Sequence, residues 1–211
     1  NDKKLIAWVP VNNPDFNALP NGVFDSEVFS MWSYVTHWGN WTAPLGRIPA
    51  AFLDVAHKNG VAVSGVAGVP YGGLSSAYKA MMAGLYNVGA KKASQFFNYY
   101  GIDGMGYNSE FSDYSGTVDD LRDFHADLMK QMKAKNPIFM NFWYDGTNDA
   151  GSIQFDQGLG SHNQETFGDS KNPRTSLFFN YNWNKESLLS GSVTKAESMK
   201  RDPLDLYAGI N

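Results

Sequence analysis

Cysteine is absent from all 211 residues of this chain. Disulfides and thiolate metal sites are therefore excluded. A thiol-free chain suits an oxidising compartment, and a secreted, periplasmic or cell-surface location is expected, with the cytoplasm as the alternative. Positive charge is not in excess either: 17 Lys and Arg stand against 21 Asp and Glu, a net charge of −4. The basic footprint of a nucleic-acid binder is missing, so no nucleic-acid partner is expected. No apolar run approaches the roughly 18 residues of a membrane span. Histidines number only 4, and no carboxylates fall at ligand spacing, so neither a metal nor a cofactor is expected. There is no G-x-S-x-G nucleophile elbow and no G-x-G-x-x-G turn after the first apolar run. Repeats and low-complexity linkers are also lacking, and nothing points to a protein partner. The chain opens Asn1-Asp2-Lys3-Lys4 without a signal-peptide pattern or an initiator Met, from which removal of an upstream segment is expected.

What the chain has in quantity is aromatic residues: 14 Phe, 11 Tyr and 6 Trp. A large core accounts for much of this. Clustered Trp, Tyr and Asn also suit a sugar cleft, because flat rings cover apolar sugar faces while their polar tips hydrogen-bond.

Short apolar runs alternate with helical patterns. Strands are expected at Leu5–Pro10, Met31–Gly39, Val61–Val69, across "IDGMGYNSE", across "IFMNFWYDG", across "SLFFNYNW" and at the terminal "LDLYAGIN". Between them lie a helix in "RIPAAFLDVAHKNG", with Pro near its start and Gly60 at its end, and a helix-rich stretch from about Ser75 to Tyr100. The amphipathic "TVDDLRDFHADLMKQMKAKN" carries acids early and lysines late, and a further helix is expected near Lys195–Arg201. Regular β-α alternation implies a parallel sheet with crossover helices. The strands end in polar or aromatic groups: His37 and Trp38; Tyr71; Asn108 and Glu110; Tyr144 and Asp145; Asn182 and Trp183. Functional groups at the C-terminal ends of strands are the habit of the (β/α)8 TIM barrel. The expected fold is therefore α/β, a single catalytic barrel domain over 1–211. About seven of its eight strands are present, so the barrel is incomplete at the C-terminus. The polar loop Gly146–Thr175 is expected to shape a cleft.

The stretch "GIDGMGYNSEF" (Gly101–Phe111) is the most informative. Side chains alternate faces along a strand, so Gly104, Gly106, Asn108 and Glu110 share one face if the strand runs that far. The glycines leave room, and the last two residues reach the mouth. A glutamate there can act as general acid, with the asparagine beside it offering an acceptor and a donor. Glycosidases ordinarily use two carboxylates. An amide beside a single acid fits instead a substrate whose own 2-acetamido group attacks its anomeric carbon.

This stretch resembles the catalytic strand of glycoside hydrolase family 85, endo-β-N-acetylglucosaminidases that cut the chitobiose core of N-glycans. "PAAFLDVAHKNGVAVSG" is similar to the family's PxxWxxAAHxNGVxVLG, "FWYDG" to its W-Y-D-S, "FFNYNW" to its F-x-N-Y-x-W, and "DLYAGIN" to its D-V-Y-x-G-I-D. The ordered set spans residues 31–211. The resemblance implies an N-glycan or glycoprotein substrate, Glu110 as general acid/base, Asn108 orienting the acetamide, Tyr144 hydrogen-bonding the acetamide or oxazoline, and Trp183 as an aromatic wall. Phe155 stands about where the family has a Trp platform. His37 matches the family's second strand and could bind sugar, whereas His57 matches on a helix and reads as structural. The family 18 pattern DGxDxDxE fits less well, since Gly106 and Asn108 replace its inner aspartates; Asp103 faces outward by parity and reads as structural. The other readings left open are a family 18-like endoglycosidase or chitinase and a glycan-binding protein on a decayed barrel. For the remaining residues the structural reading leads: His125 is expected on the surface and His162 in the long loop. Trp8, Trp32 and Trp143 are expected in the core; Trp38 and Trp41, near the second strand's end, are divided between core and cleft, with Trp38 counted among the candidate sugar-binding residues.

Overall fold

A computed structural model describes residues 4–10, 29–41, 46, 48–183 and 185–210. Strand β1 (Ile6–Val9) is followed by β2 (His37–Asn40), helix α1 (Ala50–Lys58) and β3 (Ala62–Ala67). A two-residue strand β4 (Gly72–Gly73) leads into α2 (Ser76–Val88) and α3 (Ala90–Tyr100). Then come β5 (Gly104–Tyr107), the short β6 (Phe111–Ser112), α4 (Thr117–Lys133), β7 (Met140–Tyr144), α5 (Gln164–Phe167), β8 (Ser176–Phe179), α6 (Glu186–Ser198) and β9 (Leu206–Ala208). Seven strands form one parallel sheet in the order β1-β2-β3-β5-β7-β8-β9, while β4 and β6 pair separately.

The sheet is curled. In a flat sheet β1 and β7, four steps apart at about 4.8 Å each, would lie about 19 Å from one another. Instead the ring of Trp8 on β1 meets that of Phe142 on β7 edge-on at 5.1 Å. The Lys4–Asp205 ion pair at 3.9 Å links the segments that lead into the two edge strands. The molecule is thus a curled parallel half-barrel with helices on its convex face.

Alternation sorts the strand residues cleanly. Trp38, Val63, Met105, Tyr107, Trp143, Leu177 and Phe179 are buried in the main core, which fills the space between sheet and helices. Trp38 stacks on Phe52 of α1 at 4.8 Å. The concave face carries Trp8, His37, Ser64, Phe142, Tyr144, Phe178 and Tyr207. Gly104 and Gly106 face the same way, but they do not clear space for a ligand. A Cβ at Gly106 would lie 2.9 Å from Phe142 Cβ, and one at Gly104 would strike Ser64 Oγ. Packing inside the curl requires both glycines.

Several expected boundaries move for local reasons. Trp32–Tyr34 form one 3-10 turn ahead of β2 rather than part of a strand, with only Trp32 of the three buried. The helical stretch beginning at Ser75 is broken at Gly89, whose φ of +82° no ordinary helix accommodates. The last helix starts earlier than expected, at Glu186. His125 is fully buried rather than on the surface. It shares the inward face of α4 with Leu121 and Leu128, and its Nε2 lies 3.1 Å from Tyr107 Oη. Burial first, then the charge of Arg174, lowers the His125 pKa to about 3. Asp103 accepts from Val63 N–H at 2.9 Å and Asn136 Nδ2 at 2.8 Å. His57 Nε2 stands 2.9 Å from the same carboxylate, so both act as braces between α1, β3 and β5.

Candidate active site

The site begins where β5 stops. The strand ends at Tyr107, so alternation alone does not set Asn108 and Glu110 side by side. Asn108 N–H still donates to the Ala67 carbonyl at 3.2 Å, and then Glu110 N–H turns back to the Asn108 carbonyl at 3.0 Å. This three-residue turn points Ser109 into the wall: it is fully buried, and its Oγ donates to the Tyr144 carbonyl at 2.6 Å. The flanking side chains meet, Asn108 Nδ2 donating to Glu110 Oε2 at 3.1 Å. Asn108 Oδ1 has no partner among the described residues.

Neighbouring loops hold the turn on both sides. Gly72 N–H donates to the Glu110 carbonyl at 3.0 Å. Thr147 Oγ1 accepts from Phe111 N–H at 3.0 Å and donates to the Phe111 carbonyl at 2.8 Å. Gly146 fits between these parts. A Cβ there would lie 3.1 Å from both Glu110 Cγ and Phe155 Cε1 and would collide with the Ser109 carbonyl. Gly146→Ala is accordingly expected to cost about 1–3 kcal/mol through overpacking. Thermal melting checks this: Tm falls by several degrees, and an unchanged Tm would mean that the loop gives way freely.

Aromatic rings line the concave side around Glu110. Tyr144 packs against Phe178 at 5.3 Å, Phe155 at 6.0 Å and Trp41 at 6.4 Å, with Tyr181 on Phe178 at 6.2 Å. The Tyr144 hydroxyl donates to Asn180 Oδ1 at 3.0 Å. Burial pushes the pKa of Tyr144 well up, helped by the charges of Tyr181, Glu110 and Asp145. Tyr181 is raised by burial and by Glu110. Both phenols therefore feel the same carboxylate and keep their protons at neutral pH.

The other residues expected at the site fall in different places. Asp145 is only 3% exposed. Its carboxylate accepts from Gln157 N–H at 2.7 Å and Asn163 Nδ2 at 3.2 Å, clasping the loop that carries Phe155. Burial raises its pKa to about 7 against the pull of those hydrogen bonds. Trp38 is fully buried under α1, on the opposite face of the sheet from Glu110, because it alternates with the inward-facing His37 and Gly39. His37 lies at the N-terminal end of β2, the end away from Trp41. It is 2% exposed, with Nε2 2.5 Å from Ser64 Oγ and a pKa lowered to about 3, chiefly by burial. Neither residue is brought to the mouth. Tyr71 is exposed on the loop after β3. Asn182 is also exposed, its N–H donating to Gln157 Oε1 at 3.1 Å. Trp183 is half-buried and donates to the Gly209 carbonyl at 2.6 Å, tying the β8 and β9 loops together. His162 is exposed and sits 2.6 Å from Gln154 Nε2. Trp8, expected in the core, instead stands on the concave face, 5.4 Å from Trp41.

Phe178, Asn180, Tyr181 and Gly146 were not singled out from the sequence. Parity along β8 carries the signal for Phe178, which alternates with the core residues Leu177 and Phe179.

The model of the family "Glycosyl hydrolase family 85" matches residues 12–211. The chain belongs to that family. Among relatives, the cytosolic endo-beta-N-acetylglucosaminidase of Gallus gallus is 26% identical over 190 residues, covering 87% of this chain and 25% of that protein. The Homo sapiens protein of the same name is 28% identical over 168 residues, covering 77% and 21%. The chain thus spans about a quarter or less of the length of these curated relatives. Of solved structures, the glycoside hydrolase domain of Endo-D from Streptococcus pneumoniae matches with a TM-score of 0.79 at 22% identity, covering 99% of this chain and 34% of that one. A family 18 chitinase from Pseudoalteromonas aurantia matches at 0.58 and 12%, covering 99% and 80%. Both structural likenesses are likenesses of fold. The relatives also correct one expectation. The chicken, human and mouse (Mus musculus) proteins are all cytosolic by name, which overturns the secreted, periplasmic or cell-surface location. A chain without thiols has no thiol–disulfide equilibrium for a compartment to set, so its lack of cysteine carries no address.

Proposed function

We propose that this protein is an endo-β-N-acetylglucosaminidase, hydrolysing the GlcNAc-β1,4-GlcNAc core of N-glycans with retention, through an oxazoline formed by the substrate's own acetamide. In this reading the curled sheet is the larger part of a (β/α)8 barrel, and the glycan lies across its concave mouth. The observation that carries the proposal is the Asn108–Glu110 contact, Nδ2 to Oε2 at 3.1 Å. One acid stands beside an amide, and the next carboxylate along, Asp145, is 3% exposed and turned to loop donors on both oxygens. A two-carboxylate route needs a second carboxyl group that can reach the anomeric carbon, and the burial of Asp145 speaks against that role.

Glu110, protonated, gives its hydrogen to the glycosidic oxygen of the leaving GlcNAc. As that C–O bond breaks, the acetamide oxygen bonds to the anomeric carbon and an oxazolinium ring closes. Asn108 Oδ1, left open by the amide's orientation, accepts the acetamide N–H and directs the carbonyl oxygen at the reacting carbon. Water then attacks the anomeric carbon from the face the leaving group vacated. Glu110, now a carboxylate, takes the water's proton, and the ring reopens. Family membership and the names of the relatives support the activity; the single acid–amide pair supports the route. The test is release of glycan from high-mannose and complex N-glycopeptides. Cleavage between the two core GlcNAc residues, leaving one on the peptide, is expected. Glycan binding without any turnover would instead indicate a binding protein on a decayed barrel.

A further inference from the structure

The hydrogen on Tyr144 is already committed. Asn180 Oδ1 accepts twice, from Tyr181 N–H at 2.7 Å and from Tyr144 Oη at 3.0 Å. A backbone N–H can only donate, so the atom of Asn180 facing Tyr181 must be its oxygen. The Tyr144 hydroxyl meets that same oxygen and must donate to it. Its lone pairs are then what it can turn towards Glu110 and the cleft.

We propose that Asn180 is a positioning residue that holds the Tyr144 hydrogen away from the cleft, so that Tyr144 turns a lone pair, not a hydrogen, towards the closing oxazolinium ring. This rests on the endoglycosidase reading above. The chemistry favours it. A donor on the acetamide oxygen would draw electron density from the very atom that must attack. A fixed lone pair does the reverse: it stabilises the positive charge that develops as the oxazolinium forms, and it costs no reorganisation because the hydroxyl is already oriented. Tyr144 is suited to hold still, with its ring packed against Phe178, Phe155 and Trp41.

Three variants test the assignment in N-glycopeptide cleavage. Asn180→Leu removes the acceptor and frees the hydroxyl; kcat should fall by about tenfold or more with KM nearly unchanged, the range of coupling seen between groups in direct contact. Asn180→Asp keeps an acceptor oxygen at the same place and should retain most of kcat. In a Tyr144→Phe background, Asn180→Leu should cost nothing further, because there is no hydroxyl left to orient. If Asn180→Leu lowers kcat equally with and without the Tyr144 hydroxyl, the role is merely structural and the inference fails. If Asn180→Asp is inactive while Asn180→Leu is active, Tyr144 works as a donor and the inference is reversed. Glu110→Gln, assayed in parallel, separates the two levels: full turnover by that variant overturns the endoglycosidase reading, whereas its inactivity leaves the Asn180 outcomes to decide the inference alone.

Discussion

Glu110→Gln should lose release of N-glycans almost completely, with kcat down by about 10²–10⁴-fold, the usual contribution of a positioned general acid/base. The substitution is nearly isosteric. A glutamine oxygen can still accept from Asn108 Nδ2 at the place where Glu110 Oε2 does so at 3.1 Å. The backbone hydrogen bonds from Gly72 and to Asn108 do not involve the side chain, so the turn stays in place. What disappears is the proton. The amide cannot protonate the leaving oxygen in the first step or deprotonate water in the second, so both halves of the reaction suffer. Glycan affinity should persist, because the aromatic lining of Tyr144, Phe178 and Tyr181 is untouched. Turnover and binding must therefore be measured separately, by product release and by titration with uncleaved glycopeptide. Near-normal release would sink the mechanism, and loss of binding would place Glu110 in recognition rather than chemistry.

The fold was legible in the sequence to the extent that a parallel sheet makes it so. Strands buried on both faces read as apolar runs, and the seven expected runs are the seven strands of the sheet. Their ends were less legible, because apolar composition does not mark where ladder pairing stops. β5 illustrates the consequence. Asn108 and Glu110 were expected side by side from strand parity, and they are side by side, but a turn at Ser109 brings them together. The glycines before them were read as room for a ligand, yet Ser64 and Phe142 already occupy the space. Those neighbours come from strands far away in sequence, and no local pattern announces them. Trp38 was misplaced for a simpler reason: position at a strand end says nothing about which face a ring takes, and parity with His37 turns it to the core. His125 was legible and overlooked, since it falls four residues after Leu121 and three before Leu128 on the buried stripe of α4. Asn180 lies within the FFNYNW match and Gly146 within FWYDG, but what they touch is decided by tertiary packing, which no local pattern announces.

Asn108→Ala should separate the two halves of the reaction, which Glu110→Gln cannot do. The alanine removes two things at once: the Oδ1 that is open to an acetamide N–H, and the Nδ2 that steadies Glu110 Oε2. Orienting the acetamide matters most while the ring is closing. Without it, the carbonyl oxygen samples rotations that point away from the anomeric carbon, and stabilisation of the developing oxazolinium is lost as well. Removing one such preorganised contact typically costs about 10²–10³-fold in kcat, and a loss of this size is expected on intact N-glycopeptides. A preformed sugar oxazoline has its ring already closed. Its hydrolysis requires only that Glu110 deprotonate water, and Glu110 remains, anchored through its backbone to Gly72 and through Phe111 to Thr147. The rate on the oxazoline should thus fall far less than the rate on the glycopeptide. Equal losses on the two substrates would mean that Asn108 acts only by holding Glu110. Near-wild-type rates on both would remove the amide from the mechanism, and with it the reason for preferring an attacking acetamide to a second carboxylate.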